Sequence, residues 1–386
     1  ARNFGLAQSH LNTAVKLDPS HLMGQLYLGY VHYALANYAE SAAALEKAVH
    51  VDETNQDAWY HLSTVYGQLS KRAFDILQKQ HANAMETHLA RTHFFEASGS
   101  WKQAEAELSL ALEQQPENQA LRQRRDWLTQ RASGQSADPP AGAGEGSTRY
   151  LYAPPAGRDI QTAVLAEKKG VEDAAKTRPP TRQSLYRLAE GYQALSFLSS
   201  LWVVQTDPDS YRAHQLRGQS NEAAERIEEA IAEYQEALKR KPDLQTIHFA
   251  IGNLYWRNAR LEEARPELEA ELKLNPRDAR AHYELGDILF SNGDTAGAAK
   301  HLAEAIRYAP SMPEAHLALG RMATANGNFT KALTHLKRAA EISPLDPTPH
   351  YRMWLLYKRL GRNAEAQIAR NNFEARKKLG TDKQDP

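Results

Sequence analysis

Apolar residues recur every three to four positions along most of the chain, and short polar stretches interrupt this pattern at regular intervals. Such a spacing places the apolar side chains on one face of an α-helix. Two of the interruptions, SNGD (291–294) and ANGN (325–328), contain the Gly and Asn residues that favour turns. The pattern therefore predicts an all-α chain made of pairs of amphipathic helices joined by short turns.

The helix pairs repeat at one constant interval, which Pro, Gly and Ala residues mark. Each Pro in this repeat lacks an amide N–H and cannot continue a helix, so it marks the end of a second helix. The small residues allow two helix axes to approach to about 8 Å, so we expect them where the paired helices cross. Three sets of residues recur at this interval: Pro242, Pro276, Pro310 and Pro344; Gly218, Gly252, Gly286 and Gly320; Ala230, Ala264, Ala298 and Ala332.

The repeated unit resembles the tetratricopeptide repeat (TPR) family, whose members are arrays of 34-residue helical hairpins. Units 245–278 and 313–346 match the family frame nearly as well as unit 279–312 does. Several consecutive units in phase make the resemblance specific, whereas one such unit would be a weak signal. Unit 279–312 carries these residues at the family's signature positions: Leu285, Gly286, Leu289, Ala298, Leu302, Ala305 and Pro310.

Units at both ends of the chain depart from the family frame. The last unit, 347–380, has Trp354 where the family has Gly and Arg370 where it has an aromatic residue, which is typical of a terminal capping unit. The N-terminal half follows the frame more loosely, as in unit 22–55. Its opening segment, 6–19, resembles a second helix without its first, so we expect the array to be cut or to start upstream.

The resemblance implies an all-α fold, an α-solenoid of about ten helix-turn-helix hairpins that coil into a right-handed superhelix. We assign residues 1–131 to an N-terminal array, residues 132–180 to a Pro/Gly-rich linker with a helix near 160–175, and residues 181–386 to a C-terminal array with its terminal capping unit. The linker composition buries too little apolar surface to offset the entropy of ordering. Within it, RYLYAPP (149–155) is interpreted as a loop, or else as a segment that docks on a groove.

A second, longer repeat relates the two halves of the chain. The first interval in each half, which ends at His88 or His214, is shorter than one unit, so we predict the same shortened hairpin in both. Arg91 and Arg217, which the long repeat also relates, occupy a position where the family has an apolar residue. Either their stems pack along the shortened hairpin, or both grip an anionic partner. The positions that establish the long repeat are Trp59 and Leu185, His88 and His214, and Pro116 and Pro242.

Histidines occupy the fourth position of six units, which raises the possibility of a ladder of metal ligands. Nitrogens that share one zinc ion lie about 3–4 Å apart, because each is about 2 Å from the metal. Neighbouring helices lie about 8–10 Å apart, so histidines of successive units cannot share an ion. The spacing therefore predicts a packing role and no metal site. These residues are His88, His214, His248, His282, His316 and His350.

Composition and motifs exclude several function classes. Lys plus Arg and Asp plus Glu both number 47, so the formal net charge is zero and gives no reason to expect nucleic acid or an anionic membrane. The chain has no Cys, which excludes disulfides and thiol catalysis; this suits an exported, periplasmic location slightly better than a cytoplasmic one. Motifs of metalloproteases, serine hydrolases, phosphate-binding loops and calcium loops are absent. We predict no enzymatic activity, no cofactor and no membrane insertion.

The family resemblance places partner binding in a concave groove built from first-helix residues. Aromatic and arginine side chains dominate binding hot spots, and they are frequent at these positions. Trp256 and Phe290 can either face the groove or partly fill the space between helices. The groove positions are Phe249, Asn253, Trp256, Arg257, Arg280, Tyr283, Asp287, Phe290, Leu317, Arg321, Tyr351, Lys358 and Arg359.

Two further features depart from the family pattern. Glu271 stands where the family has Ala, and a buried carboxylate requires a partner such as Arg280. The stretch LSFLSSLWVV (195–204) is apolar nearly all round, in the place of a shortened second helix. A helix of this kind must be covered on more than one side, either by the linker or by another protein. As a contact patch it consists of Phe197, Leu198, Leu201 and Trp202.

These observations favour a non-enzymatic scaffold that binds a protein or peptide partner in the C-terminal groove. One alternative is a structural subunit or assembly factor of a larger complex, which uses the 195–204 patch and the convex faces. The other is the TPR targeting arm of an enzyme, such as a glycosyltransferase, whose catalytic part lies upstream of this sequence.

Overall fold

A computed structural model describes residues 4–135 and 159–381 of the chain, and all regular secondary structure in these ranges is α-helical. The chain divides between Arg240 and Lys241 into an N-terminal unit and a C-terminal unit. The helices of the N-terminal unit are α1 (Phe4–Leu17), α2 (Leu22–Ala34), α3 (Tyr38–Val51), α4 (Gln56–Gln80), α5 (Met85–Ala97), α6 (Trp101–Gln114), α7 (Gln119–Ala132), α8 (Asp159–Ala175), α9 (Arg182–Thr206), α10 (Tyr211–Ala223) and α11 (Ile227–Arg240).

The C-terminal unit consists of four helical hairpins that pack in a row. Its helices are α12 (Ile247–Arg257), α13 (Leu261–Leu274), α14 (Ala279–Ser291), α15 (Thr295–Tyr308), α16 (Pro313–Ala325), α17 (Phe329–Ile342), α18 (Thr348–Arg359) and α19 (Asn363–Thr381). The second helix of each hairpin packs on the first helix of the next, and successive first helices also touch. Gly293 and Gly327 occupy the predicted turns with φ near +84° and +73°, where a side chain would be strained. The predicted repeated hairpins are therefore present here.

Close helix packing in the hairpins rests on a Gly of the first helix that faces a Leu of the second. A Cβ atom at Gly286 would lie 2.8 Å from Leu302 Cγ, which is too close for any side chain. Gly252 and Gly320 face Leu268 and Leu336 in the same way.

In the last hairpin both residues of the Gly–Leu crossing are different. Trp354 stands in the Gly position and Arg370 in the Leu position, and the Arg370 guanidinium lies 5.7 Å from the centre of the Trp354 ring. Phe373 stacks on the same ring at 6.5 Å. The two departures from the family frame thus compensate each other at the end of the row.

The N-terminal unit contains three sequence-local hairpins and a pair of long helices. The hairpins are α2/α3, α5/α6 and α10/α11, while α4 and α9, with 25 residues each, pack against one another. Ser70 Oγ donates to the Ala189 carbonyl and Ser196 Oγ donates to the Ser63 carbonyl, both at 2.7 Å. These crossed pairings show that the two helices are antiparallel.

The predicted shortened hairpin in each half is therefore wrong. One long helix, α4 or α9, takes its place, because neither segment contains a Pro or a turn sequence that would divide it. Both long helices precede a hairpin of the same dimensions, so the long repeat is visible in the fold.

Because α4 pairs with α9, the boundary between the two units lies after Arg240 rather than near residue 181, where the sequence analysis placed the start of the C-terminal array. Residues 182–240 group with the helices that precede them, whereas the sequence placed residues 181–386 in one array. Helix α8 occupies the segment where a helix near 160–175 was predicted, and it packs on α9. The motif at 149–155 lies outside the described residues.

The apolar stretch 195–204 forms the C-terminal half of α9 and is covered within the chain. Leu198 is fully buried, and Phe197, Leu201 and Trp202 are partly buried against the same core. That core includes residues of α4 and of α8. Residues 195–204 are thus covered within the chain, which was the first of the two alternatives. Helix α8 of the predicted linker covers them together with α4.

Candidate functional site

Five of the six histidines of the ladder bond across their own hairpins. In three hairpins the ring Nδ1 lies 2.6–2.7 Å from a glutamate oxygen on the second helix, as in His248 and Glu267. In two others the residue at the glutamate position is itself a histidine, which gives the pairs His282–His301 and His316–His335 with Nδ1 atoms 3.0 and 3.2 Å apart. Burial and the neighbouring ring lower the pKa of His301, which favours the neutral form of that ring.

This geometry gives the histidines of the ladder a structural role. Five of the six histidines tie the first helix of their hairpin to the second, which is the predicted packing role; His350 is buried, and its Nδ1 has no hydrogen-bond partner among the described residues. In the described parts of the chain, no three His, Asp or Glu side chains are grouped so that they could hold one metal ion.

The two arginines of the long repeat take part in the same contacts. Arg91 Nη1 lies 3.4 Å from Glu107 Oε1, and Arg217 Nε lies 3.0 Å from Glu233 Oε2. Each arginine thus pairs with the glutamate that bonds the histidine of its own hairpin. This supports the structural interpretation of these arginines over the grip on an anionic partner.

The first-helix face of the C-terminal unit, formed by α12, α14, α16 and α18, carries the predicted groove residues. Phe249 is buried, whereas the other predicted residues reach the surface to different extents. Half-buried residues are Asn253, Trp256, Tyr283, Asp287, Phe290 and Leu317; exposed residues are Arg257, Arg280, Arg321, Tyr351, Lys358 and Arg359.

Asp287 joins three successive first helices at the centre of this face. It accepts a hydrogen bond from Trp256 Nε1 at 3.3 Å and pairs with Arg321 Nη1 at 3.2 Å. The Trp256 and Tyr283 rings meet edge to face at 5.9 Å. Burial raises the pKa of Tyr283 to about 12, so its hydroxyl stays protonated at neutral pH. Trp256 therefore partly fills the space between α12 and α14 while one side remains open to solvent.

Glu284 is a buried carboxyl group directly beneath this face, and the sequence interpretation missed it. Its side chain lies on the buried stripe with Ala281, Leu285 and Ile288, a register that could have revealed it. Asn253 Nδ2 donates to Glu284 Oε1 at 2.6 Å, while Oε2 has no hydrogen-bond partner among the described residues. Burial raises its pKa to about 7.

Glu271 has a different partner from the one predicted. Its Oε2 accepts from the amides of Thr246 and Phe249 at 2.9 and 3.4 Å, at the start of α12. These amides have no partner inside the helix, and a carboxylate is favourable there. Arg280 instead places its guanidinium 4.3 Å from the centre of the Phe249 ring. The carboxylate is therefore a helix cap rather than half of an ion pair with Arg280.

A cavity of about 370 Å³ opens on the first-helix face between α14, α16 and α18. Its apolar lining comes from Phe290, Leu355 and Leu356, and three arginines surround it: Arg321, Arg352 and Arg359. Arg352 and Leu355 were not among the predicted groove residues.

Beside this cavity, α18 carries an aromatic cluster. The Tyr351 ring lies 5.9 Å from Trp354 and 5.3 Å from Phe373. The Lys358 ammonium lies 5.9 Å from the centre of the Trp354 ring. Two of the three predicted residues of this helix, Tyr351 and Lys358, thus contact the same tryptophan.

The charge on this face is strongly one-sided although the whole chain is neutral. Asp287 and Glu314 are the acidic side chains of α12, α14, α16 and α18 that reach the surface, and Asp287 is engaged by Arg321. A surface of this composition attracts acidic groups over about one Debye length. The exposed basic residues on these four helices are Arg257, Arg280, Arg321, Arg352, Lys358 and Arg359.

Replacing Glu284 by glutamine should stabilise the C-terminal unit at pH 8 and have little effect at pH 5. The folded-state pKa of about 7 lies above the ordinary value of 4.5, so the folded state binds the extra proton below pH 7. Stability therefore falls as the pH rises from about 4.5 to about 7, by at most roughly 3 kcal/mol, and stays low at higher pH. The glutamine side chain would keep the oxygen that accepts from Asn253. Thermal unfolding at the two pH values measures the effect, with Glu314→Gln, an exposed site, as control. An equal change in Tm at both pH values would contradict a buried, ionising Glu284.

Comparisons with known proteins agree with this architecture. A family model described as "Tetratricopeptide repeat" matches residues 1–62, 249–307 and 289–347, and a second, described as "TPR repeat", matches residues 218–258. No curated protein matches the chain.

Solved structures of TPR proteins resemble about half of the chain. A structure of MamA is 20% identical, covers 45% of this chain and 96% of its own, and gives a TM-score of 0.41. YrrB, described as a TPR protein with an unusual peptide-binding site, is 18% identical, covers 46% of this chain and 91% of its own, and gives a TM-score of 0.40. PilF of Pseudomonas aeruginosa is 17% identical, covers 55% of this chain and 90% of its own, and gives a TM-score of 0.41. The family-model matches, the constant repeat interval and the Gly–Leu helix crossings together identify the chain as a member of the tetratricopeptide repeat family.

Proposed function

We propose that the chain is a non-enzymatic interaction scaffold that binds an acidic peptide segment of a protein partner on the first-helix face. The observation that carries this proposal is the apolar cavity of about 370 Å³ surrounded by Arg321, Arg352 and Arg359. An apolar pocket with a charged rim is the arrangement of a binding hot spot.

The chemistry of the face suggests how such a peptide binds. One apolar or aromatic side chain of the peptide enters the cavity against Phe290 and Leu355. Acidic side chains on either side of it reach the arginines at the rim, whose planar guanidinium groups bind carboxylates with two hydrogen bonds. Part of the face is already rigid, because Asp287 ties α12, α14 and α16 together, and this lowers the entropic cost of binding.

The alternative role as a structural subunit used the convex faces and residues 195–204 as its contact surfaces. Leu198 is fully buried against α4 and α8, so this alternative loses the support of the 195–204 patch.

Selection from a random peptide library tests the proposal. Peptides that bind the wild-type chain should be rich in Asp and Glu around one apolar residue. The best of them should bind an Arg321→Ala/Arg352→Ala/Arg359→Ala variant at least about tenfold more weakly in a fluorescence polarisation assay, a loss of about 1.4 kcal/mol or more. Affinity should also fall as salt is added.

A matched control removes the same amount of positive charge from a second helix. Lys331, Lys337 and Arg338 are exposed on α17, and their triple alanine variant should bind the peptide as the wild type does. If both triple variants lost the same amount of peptide affinity, the effect would come from net charge and not from the arginines at the cavity. Equal affinity of the wild type and the arginine variant would place binding elsewhere.

A further inference from the structure

The N-terminal unit contains a second cavity, which the proposed function does not use. Its volume is about 420 Å³, and it lies between α4, α5 and α9. This volume falls within the range of small-molecule sites. An apolar protein cavity of about 150 Å³ is large enough to bind benzene, so this cavity has room for a ligand with two aromatic rings.

Apolar side chains from all three helices line this cavity. Phe74 on α4 and Phe197 on α9 are partly buried, whereas Phe94 on α5 is 66% exposed and lies on the solvent side of the cavity. Aromatic rings favour contact with other rings and with apolar groups, so the three phenylalanines offer such a ligand contacts from three sides. The apolar lining residues are Phe74, Ala90, Phe94, Ala97, Ala189 and Phe197.

The polar side chains of the cavity wall are already bonded to other protein groups. His93 Nδ1 lies 2.6 Å from Glu190 Oε2, and both side chains are buried. Ser70 Oγ donates to a backbone carbonyl of α9 at 2.7 Å. Lys71 and Asp75, which are exposed, pair with each other at 2.7 Å. A charged ligand would have to compete with these partners for its bonds, and burying an unpaired charge is costly.

We propose that this cavity binds a small neutral molecule with an aromatic body on the order of twelve non-hydrogen atoms in size. The body packs between the rings of Phe74, Phe94 and Phe197, and its removal from water supplies most of the affinity. Binding also removes the exposed ring of Phe94 from water. The ligand needs no charge, because the charged groups of the wall pair with one another.

Isothermal titration calorimetry on the full chain tests this site with three probes that share one ring system. They are the neutral 1-naphthylmethanol, the cation 1-naphthylmethylammonium and the anion 1-naphthoate. We expect a Kd on the order of 0.1 mM for the alcohol, given its small number of atoms. Both ions should bind at least about tenfold more weakly, because each must lose hydration without an unpaired partner in the wall. An ion that binds as tightly as the alcohol would overturn the proposal.

A variant at the solvent side of the cavity removes one ring without disturbing the core. Phe94→Ala should weaken binding of the alcohol by about two- to tenfold. Because Phe94 is already 66% exposed, its removal should leave the fold intact. Tyr27→Ala on α2 is the matched control, since Tyr27 is 50% exposed and lies outside the cavity lining. It should bind the alcohol as the wild type does.

A cavity-filling variant provides a second measurement. Gly67 lines the cavity, and a Cβ atom there would meet only Ser196 Oγ, at an ordinary 3.6 Å. Gly67→Leu should abolish binding of the alcohol, because the new side chain occupies the ligand's space. Gly170→Leu on α8 is the matched control, since a Cβ there meets nothing within 4 Å, and it should bind as the wild type does. No binding of the alcohol by the wild type up to roughly 1 mM, or unchanged affinity in Gly67→Leu, would overturn the proposal.

Discussion

Replacing Arg124 by methionine should destabilise the N-terminal unit by about 3–5 kcal/mol, the cost of breaking a buried ion pair. The Arg124 side chain on α7 is 4% exposed and that of Glu96 on α5 is fully buried. Two hydrogen bonds of 2.8 and 2.7 Å join the guanidinium to the carboxylate. Removing the guanidinium leaves a buried carboxylate and His93 Nε2 without this donor, which neither water nor methionine replaces. Urea unfolding followed by circular dichroism measures the loss.

Two further variants separate the ion pair from its surroundings. Arg125→Met changes the next residue, whose side chain is 41% exposed, and should alter stability by no more than about 0.5 kcal/mol. Arg124→Met combined with Glu96→Leu removes both charges and should be less destabilised than Arg124→Met alone, because no unpaired charge stays buried. A loss below about 1 kcal/mol for Arg124→Met would contradict the desolvation of this pair.

The hairpins could be predicted from the sequence because their determinants are local. Gly286 and Leu302 belong to one hairpin, and the constant repeat interval places the same crossing in register along the row. The pairing of α4 with α9 could not be predicted in the same way. Hydrophobic periodicity indicates which face of a helix is buried but not which distant helix covers it, and Ser70 meets Ala189 across 119 residues of sequence.

The candidate sites show the same difference between local features, which the sequence predicts, and contacts between distant residues, which it does not. Arg280, Arg321 and Tyr351, which were named from their positions in the family repeat, are exposed on first helices, since the position within a repeat determines the face of its helix. The ion pair between Arg321 and Asp287 joins different repeats, so no single repeat contains it. His93 and Glu190 lie 97 residues apart in the sequence, and they form their hydrogen bond only because α5 and α9 pack together.

Gly286→Leu should destabilise the C-terminal unit by about 3 kcal/mol, at the upper end of the cost of overpacking. A Cβ atom at this position would lie 2.8 Å from Leu302 Cγ and 3.3 Å from the Leu302 amide nitrogen, so α14 and α15 must move apart. Leu302 is fully buried, and the shift cannot be absorbed at the surface. Combining Gly286→Leu with Leu302→Ala returns space to the crossing and should be less destabilising than the sum of the two single variants. Strict additivity would show that the two residues are not in contact.

The number of helices that the Gly286→Leu substitution destabilises tests whether the hairpins of the row stabilise one another. Helix α14 packs on α13 of the preceding hairpin, and α15 packs on α16 of the following one. In a repeat array each hairpin gains much of its stability from such interfaces, so damage at one crossing weakens its neighbours. Hydrogen exchange in Gly286→Leu should therefore accelerate in α12, α13, α16 and α17 as well as in α14 and α15. Acceleration confined to α14 and α15 would mean that the hairpins are stable individually, and the rigid first-helix face that the binding proposal uses would then lack its physical basis.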